Sequence, residues 1–157
     1  MSEEIEIEKK YLLKEMPWRK IESAGVPYTQ GYFNSEFVEI RIRNDSDRCT
    51  MAAKSLEMNS RHEWQTEITK QAFYELWPLT EGRRIYKWCY RLKEKGILYE
   101  FDSFDGDLNG LVTMEIEFHS MEEFNSFKLP DWCKDAIDVT EDPRYKNKLL
   151  SMHGIPK

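Results

Sequence analysis

The chain has 157 residues, 40% of them hydrophobic and 33% charged, enough for one well-packed domain over residues 1–157 and too little for two. Its net charge of −6 argues against general affinity for nucleic acid or an anionic membrane, though not against an enclosed basic pocket. No apolar run approaches a membrane span and the acidic start Met1-Ser2-Glu3-Glu4 is unlike a signal peptide, while the three scattered cysteines, Cys49, Cys89 and Cys133, suggest neither a disulfide framework nor a zinc knuckle. A cytoplasmic protein is expected, and the oligomeric state stays open, a homodimer included.

The first element, Ile5 to Tyr11, alternates apolar and charged residues at the period of a β-strand, so Glu6, Glu8 and Lys10 share a side. Its two glutamates, about 7 Å apart along the strand, could hold a divalent cation while the lysine holds an anion. Pro17 to Gly25 spaces Trp18, Ile21 and Ala24 by three and predicts a short helix. Strands follow over 26–33 and 37–43, the latter with Glu39, Arg41 and Arg43 on its charged side. Asn44 to Asp47 is turn chemistry, and 48–55 is a fourth strand with Thr50, Ala52 and Lys54 on one face.

A polar connection leads to a fifth strand over 61–68, where Glu63, Gln65 and Glu67 oppose Trp64 and Ile68. Thr69 caps a helix that Pro78 ends. The sixth strand, 84–93, puts Tyr86, Trp88, Tyr90 and Leu92 opposite Lys87, Cys89, Arg91 and Lys93. After a turn at Glu94-Lys95-Gly96, strand 97–104 opposes Glu100 and Asp102 to Tyr99 and Phe101, and strand 111–119 opposes Glu115 and Glu117 to Met114, Ile116 and Phe118. Ser120 to Glu123 has capping-box spacing for a brief helix, and the tail reads as loop, a short extended piece at 137–139 and a helical turn or two around 148–152.

Eight two-faced strands joined mostly by tight turns fit an α+β, mainly β protein: an eight-stranded antiparallel closed barrel with helices packed outside. A half-solvated sheet would leave each charged face in water. The charges, however, sort by strand into acidic pairs and basic pairs, and the opposite faces are rich in Trp, Tyr, Phe and Ile. Closure puts the charged faces indoors, where charges persist only when paired or bound to ions. Six inward bases (Lys10, Arg41, Arg43, Lys54, Lys87, Arg91) face seven acids (Glu6, Glu8, Glu63, Glu100, Asp102, Glu115, Glu117), a balance of about −1 that two divalent cations would bring to about +3. That chemistry suits a metal-bound polyphosphate.

The residues also resemble the CYTH superfamily, the triphosphate tunnel metalloenzymes, over nearly the whole chain. Its ExExK signature stands as Glu6-Ile7-Glu8-Lys9-Lys10. Further similarity lies in Gln30-Gly31-Tyr32, Arg41-x-Arg43, Lys54, Lys87-x-x-x-Arg91, Glu100-x-Asp102, Glu115-x-Glu117 and Asp142-Pro143-Arg144-Tyr145. The resemblance implies a tunnel that binds a triphosphate with Mg²⁺ or Mn²⁺, two ions being expected, and hydrolyses inorganic triphosphate or a nucleoside triphosphate. By matching position, Glu6, Glu8, Glu115 and Glu117 would hold metal. Lys10, Arg41, Arg43, Lys54, Lys87 and Arg91 would bind phosphate, while Glu63, Glu100 and Asp102 would support or add to the metal site. Lys87 with Tyr32 would activate water. Two positions depart from the pattern: Cys89 stands where a further base is usual, and Gln65 where a glutamate is.

Two other functions remain open. One is a module that binds triphosphate, nucleotide or polyphosphate without turnover; the other is an adenylyl cyclase or thiamine triphosphatase of the same fold. No residue of the pattern reads a base, so the expected partner is a small-molecule triphosphate, without nucleic acid or membrane.

Overall fold

In the computed structural model, which describes residues 2–57 and 60–157, alternation becomes β-structure along most of the chain. The strands are β1 (Ser2–Leu12), β2 (Val26–Tyr32), β3 (Glu39–Asn44), β4 (Cys49–Lys54), β5 (Ser60–Ile68), β6 (Arg84–Glu94), β7 (Ile97–Phe104), β8 (Val112–Phe118) and β9 (Ile137–Asp138). Part of the polar connection expected between β4 and β5 lies outside the described residues.

All nine strands belong to one antiparallel sheet in the order β5-β4-β3-β2-β6-β7-β8-β1-β9, and β5 also pairs with β1. That last pairing closes the first eight strands into a barrel and leaves β9 beside β1. Closure removes the open edges that an eight-stranded sheet would otherwise expose. The β6–β7 hairpin turns on Lys95 and Gly96, whose φ angles of 51° and 78° are those a two-residue turn of matching twist requires.

The apolar faces point outward and are covered in patches. Tyr99, Phe101, Met114, Ile116 and Phe118 of β7 and β8 form the largest cluster, with Phe124 and Trp132 packed against it. The short helix α2 (Met121–Ser126) supplies Phe124. It starts as its sequence predicts: Ser120 Oγ accepts from the Glu123 amide at 3.1 Å, and Glu123 Oε2 accepts from the His119 amide at 3.0 Å. Helix α1 (Lys70–Leu76), capped by Thr69 Oγ1 on the Ala72 amide, lays Phe73 over Ile42 and Cys49 of β3 and β4.

A third cluster lies at one end of the barrel, where Tyr32, Ile85 and Phe104 pack with Leu108, Leu111 and Leu150. Leu150 belongs to α3 (Asn147–His153), so the C-terminal helix seals that end with apolar contacts. Not every outward aromatic is covered: Tyr86 and Trp88 of β6 are exposed, although the sequence assigns their face to packing.

The helix expected over Pro17–Gly25 does not form; a single turn at 18–20 stands there, with the Lys20 amide donating to the Pro17 carbonyl at 2.9 Å. A helix of so few residues is marginal on its own. Here Trp18 meets the Tyr90 ring edge-on, 5.0 Å between centroids, and Ile21 reaches the largest cluster, contacts that a turn satisfies as well.

Gly31 on β2 marks a tight approach. A Cβ there would stand 2.5 Å from Thr80 Oγ1 and 2.6 Å from its Cβ. Thr80 is fully buried and cannot easily give way, because its hydroxyl donates to the Trp77 carbonyl and accepts from Arg84 Nε. Gly31→Ala should therefore destabilise by about 1–3 kcal/mol, the usual cost of overpacking, read as a lower urea midpoint at unchanged slope.

Candidate active site

Because each strand alternates, the barrel interior receives every second residue of β1 to β8. All the residues that the sequence assigns to the site line one cavity of about 270 Å³: Glu6, Glu8 and Lys10 from β1, Tyr32 from β2, Arg41 and Arg43 from β3, Lys54 from β4 and Glu63 from β5. Lys87 and Arg91 from β6, Glu100 and Asp102 from β7, and Glu115 and Glu117 from β8 complete the set. The structure thus brings the whole set together, and Cys89 and Gln65 face the same space.

The interior is a network of ion pairs with two gaps. Lys54 lies 2.9 Å from Glu6 and 3.7 Å from Glu63. Lys87 lies 2.6 Å from Asp102, both fully enclosed, while Arg91 meets Glu100 at 3.2 Å near the rim. Lys10 is 3.3 Å from Glu115 and also donates to the Tyr145 carbonyl at 2.6 Å and to Asn147 Oδ1 at 3.3 Å.

The first gap is cationic. Arg41, 5% exposed, has no carboxylate within salt-bridge distance among the described residues, and its buried Nε has no acceptor. Arg43 likewise has no carboxylate partner among them; its Nε donates to Gln30 Oε1 at 3.0 Å. Burial, with Arg41 beside it, pushes the Arg43 pKa down.

The second gap is anionic. Burial, followed by the nearby Glu115 and Glu6, raises the Glu8 carboxyl to about 8 against the pull of Lys54 and Arg61. Glu63 is raised to about 7, by burial and by a hydrogen bond with Glu6. Burial would raise Glu6 too, but Lys54, that shared hydrogen bond and Arg61 hold it well below the usual carboxylate range. For Glu115, Lys10 and Lys87 outweigh burial and lower its pKa.

These carboxylates fit a hard divalent cation. Glu8 faces Glu117 across the β1–β8 ladder and Lys10 faces Glu115, so three acidic side chains crowd one patch of wall. A divalent ion among them would displace the proton that Glu8 otherwise retains, and carboxylate oxygens are the ligands such ions choose. Among the described residues no group of three or more His, Cys, Asp or Glu side chains is placed to hold a metal ion as they stand, so a cation here would need further ligands from water or phosphate.

An ordered relay sets the inward tyrosine. Arg43 Nε fixes the Gln30 oxygen, so Gln30 Nε2 is the atom that donates to Tyr32 OH at 2.8 Å. Tyr32 is therefore left with its own hydroxyl hydrogen to donate, and burial, followed by Glu39, keeps that hydroxyl protonated. The aromatic ring beside Lys87 on this strand is Tyr28, its cross-strand partner, whose ring centroid is 5.6 Å from Lys87 Nζ.

Three contributors are not among the site residues that the sequence assigns, although Glu39 is expected on the same charged face as Arg41 and Tyr145 lies in a stretch that carries the resemblance. Arg61 is buried and joins Glu6 at 3.3 Å, Glu39 at 3.5 Å and Glu8 at 3.9 Å. Glu39, 5% exposed, is that guanidinium's second buried partner. Both share strand parity with site residues, Arg61 with Glu63 and Glu39 with Arg41, which was the available signal. Adding them to the wall gives seven bases and eight acids, and the balance stays at −1. The third is the tail, whose Thr140, Tyr145 and Asn147 line the cavity.

No protein-family model matches the chain. A curated relative from Nitrosomonas europaea, named inorganic triphosphatase, is 39% identical over 150 residues, covering 94% of this chain and 97% of its own. The chain belongs to the CYTH superfamily of triphosphate tunnel metalloenzymes. A second inorganic triphosphatase, from Acetivibrio thermocellus, is 36% identical over 149 residues and covers 92% of both chains. Among solved structures, that of an inorganic triphosphatase superposes on this CYTH barrel with a TM-score of 0.70 at 38% identity, covering 97% of each chain. A Hippeastrum protein described as an adenylyl cyclase with dominant triphosphatase activity shares the fold at 14% identity, with a TM-score of 0.57 over 77% of this chain and 82% of its own. Enzymes of this tunnel fold are generally metal-dependent. No helix among the described residues is long and apolar enough to cross a membrane.

Proposed function

We propose that this chain is a metal-dependent hydrolase of inorganic triphosphate, releasing phosphate and diphosphate inside the barrel. The observation that carries this reading is that buried Arg41 and half-buried Arg43 face the cavity with no carboxylate partner among the described residues. Buried cations of that kind require an anion. The crowded acids of β1 and β8 require a cation, and a metal-bound triphosphate supplies both charges in one ligand.

Glu8, Glu115 and Glu117, with Glu6, would hold Mg²⁺ or Mn²⁺, two ions suiting the charge balance. A bound ion would supply Lewis-acid polarisation of phosphoryl oxygens and a more acidic water. Arg41, Arg43 and Lys54 would bind phosphate oxygens, with Lys10 and Arg91 nearer the ends of the chain of phosphates, and would stabilise the charge that moves onto the leaving group. Tyr32 would donate its free hydroxyl hydrogen to a phosphate or water oxygen.

Lys87 would orient the attacking water at the terminal phosphorus. It is bridged to Asp102 at 2.6 Å, and Asp102, whose buried Oδ1 has no hydrogen-bond partner among the described residues, also lines the cavity, so the two act as one unit. A proton leaving the water can be taken up by this unit as the bond from water oxygen to phosphorus forms and the anhydride bond breaks.

Replacing Glu115 by glutamine removes a metal-binding charge while keeping the side chain's shape. Phosphate release from triphosphate with Mg²⁺ or Mn²⁺ should fall about 100-fold or more, in line with the several kcal/mol that a metal contributes to such transition states. Undiminished turnover would exclude Glu115 as a ligand. Tight, metal-dependent binding of triphosphate by the unaltered protein without phosphate release would instead mark a binding module, and a panel of triphosphate, ATP and thiamine triphosphate separates the substrate classes.

A further inference from the structure

On the inward face of β6, Cys89 stands between Lys87 and Arg91 and offers a neutral thiol where the two neighbours offer charge. Burial, followed by the nearby Asp102, pushes that thiol up to about 12, so it carries no charge near neutrality. The space beside it is taken by Tyr28 of β2. Along that ladder Val26 faces Cys89 and Tyr28 faces Lys87, which sets the tyrosine diagonally across from the cysteine.

Three cations gather on this one half-buried side chain. The Arg43 guanidinium carbon lies 4.6 Å from the ring centroid and Lys87 Nζ lies 5.6 Å from it. The phenol oxygen accepts from Arg91 at 3.5 Å. Arg43 comes from β3 and the other two from β6, so Tyr28 is the element that bridges two cationic strands.

The choice of an aromatic residue matters for the charge. Three cations in one wall repel each other; Asp102 and Glu100 already offset Lys87 and Arg91, and a further carboxylate beside Arg43 would cancel the charge that a phosphate needs. The negative face of an aromatic ring attracts cations and leaves their charge intact. Burial raises the Tyr28 pKa, which keeps the phenol neutral and in keeping with this role.

We infer that Tyr28 is a positioning residue for triphosphate: its ring and hydroxyl hold Arg43, Lys87 and Arg91 as one phosphate-binding wall at the place where Cys89 contributes no charge. This rests on the tunnel being a triphosphate site. It assigns Tyr28 to substrate affinity; Lys87 is also held by Asp102 at 2.6 Å, so its part in turnover does not depend on Tyr28.

The test compares Tyr28→Leu, Tyr28→Met, Tyr28→Phe, the double variant Tyr28→Leu/Cys89→Arg, and Arg43→Ala. Each is measured for KM and kcat with inorganic triphosphate and for folding by circular dichroism and melting. Tyr28→Leu and Tyr28→Met should raise KM about tenfold and change kcat by less than about threefold, the scale of a desolvated cation–π contact. Tyr28→Phe, which keeps the ring, should raise KM by less than about threefold. Cys89→Arg should recover most of the affinity lost in Tyr28→Leu, since it restores a cation at the gap.

A KM within about twofold of the unaltered protein in both aliphatic variants would overturn the inference, as would Phe being as damaging as Leu, or both aliphatic variants failing to fold. Arg43→Ala separates the two levels. If it raises KM while the Tyr28 variants do not, only the role of Tyr28 falls; if it leaves KM unchanged, the triphosphate reading of the tunnel falls with it.

Discussion

Replacing Arg61 by methionine should cost about 3–5 kcal/mol of stability, the penalty for removing one partner of a buried ionic cluster. The cost comes from what stays behind. Arg61 joins Glu6 at 3.3 Å and Glu39 at 3.5 Å, and both carboxylates are buried. Lys54 still neutralises Glu6 in the variant, at 2.9 Å, but among the described residues Glu39 has no other cation within 4 Å. At about 2–4 °C per kcal/mol for a chain of this size, the melting temperature should fall by roughly 6–20 °C. Adding Glu39→Gln to the variant should recover part of the loss, because it removes the stranded charge.

The deficit should also depend on pH in a fixed direction. Glu6 has a folded pKa held below its ordinary 4.5, so its contribution is fully present above pH 4.5 and is lost as pH falls through the folded value. Arg61 supplies part of that depression. The gap between the unaltered protein and the variant should therefore stay nearly constant from pH 7 to about pH 4 and narrow only as pH falls further toward the folded value, which urea melts at pH 7, about pH 4 and about pH 2.5 would compare. A loss below about 1 kcal/mol at neutral pH would mean that solvent or a rearranged Lys54 takes over the role of Arg61.

The eight barrel strands were legible because their two faces differ so strongly in chemistry. Charged residues on an enclosed face and aromatics on the outer one impose a two-residue period that a helix could not satisfy, so Glu100 and Asp102 could be set against Tyr99 and Phe101 from sequence alone. The same period contained Arg61 and Glu39, but neither sits in a pair of like charges, and sorting by like-charged pairs passed over them. Where the period rested on only three residues, it misled: the three-residue spacing of Trp18, Ile21 and Ala24 serves a turn, with Trp18 against Tyr90 and Ile21 against the largest cluster. Alternation also says which face points outward and not what covers it, hence the exposed Tyr86 and Trp88. The grip of Tyr145 and Asn147 on Lys10 spans more than 130 residues and has no local signature.

Replacing Lys87 by methionine should lower turnover of triphosphate by about 10²–10⁴-fold, the range for a positioned proton-transfer group. A structural explanation competes with the catalytic one, because Lys87 and Asp102 form an enclosed pair at 2.6 Å and breaking it destabilises the barrel. The double variant Lys87→Met/Asp102→Asn separates them. It removes the stranded charge of Asp102, whose Oδ1 already has no hydrogen-bond partner, and should restore most of the melting temperature lost in the single variant. If the Lys87–Asp102 pair orients the water at the terminal phosphorus and takes up its proton, turnover stays low in the double variant despite its recovered stability. If Lys87 serves only to neutralise Asp102, turnover returns along with the melting temperature, and the water-activating role passes to another group in the cavity. The expected pattern, stability regained and turnover still lost, follows from the placement of Lys87. Its ammonium is anchored by Asp102 and shares an aromatic neighbour, Tyr28, with Arg43, and it lines the cavity where Arg41 and Arg43 have no carboxylate partner among the described residues.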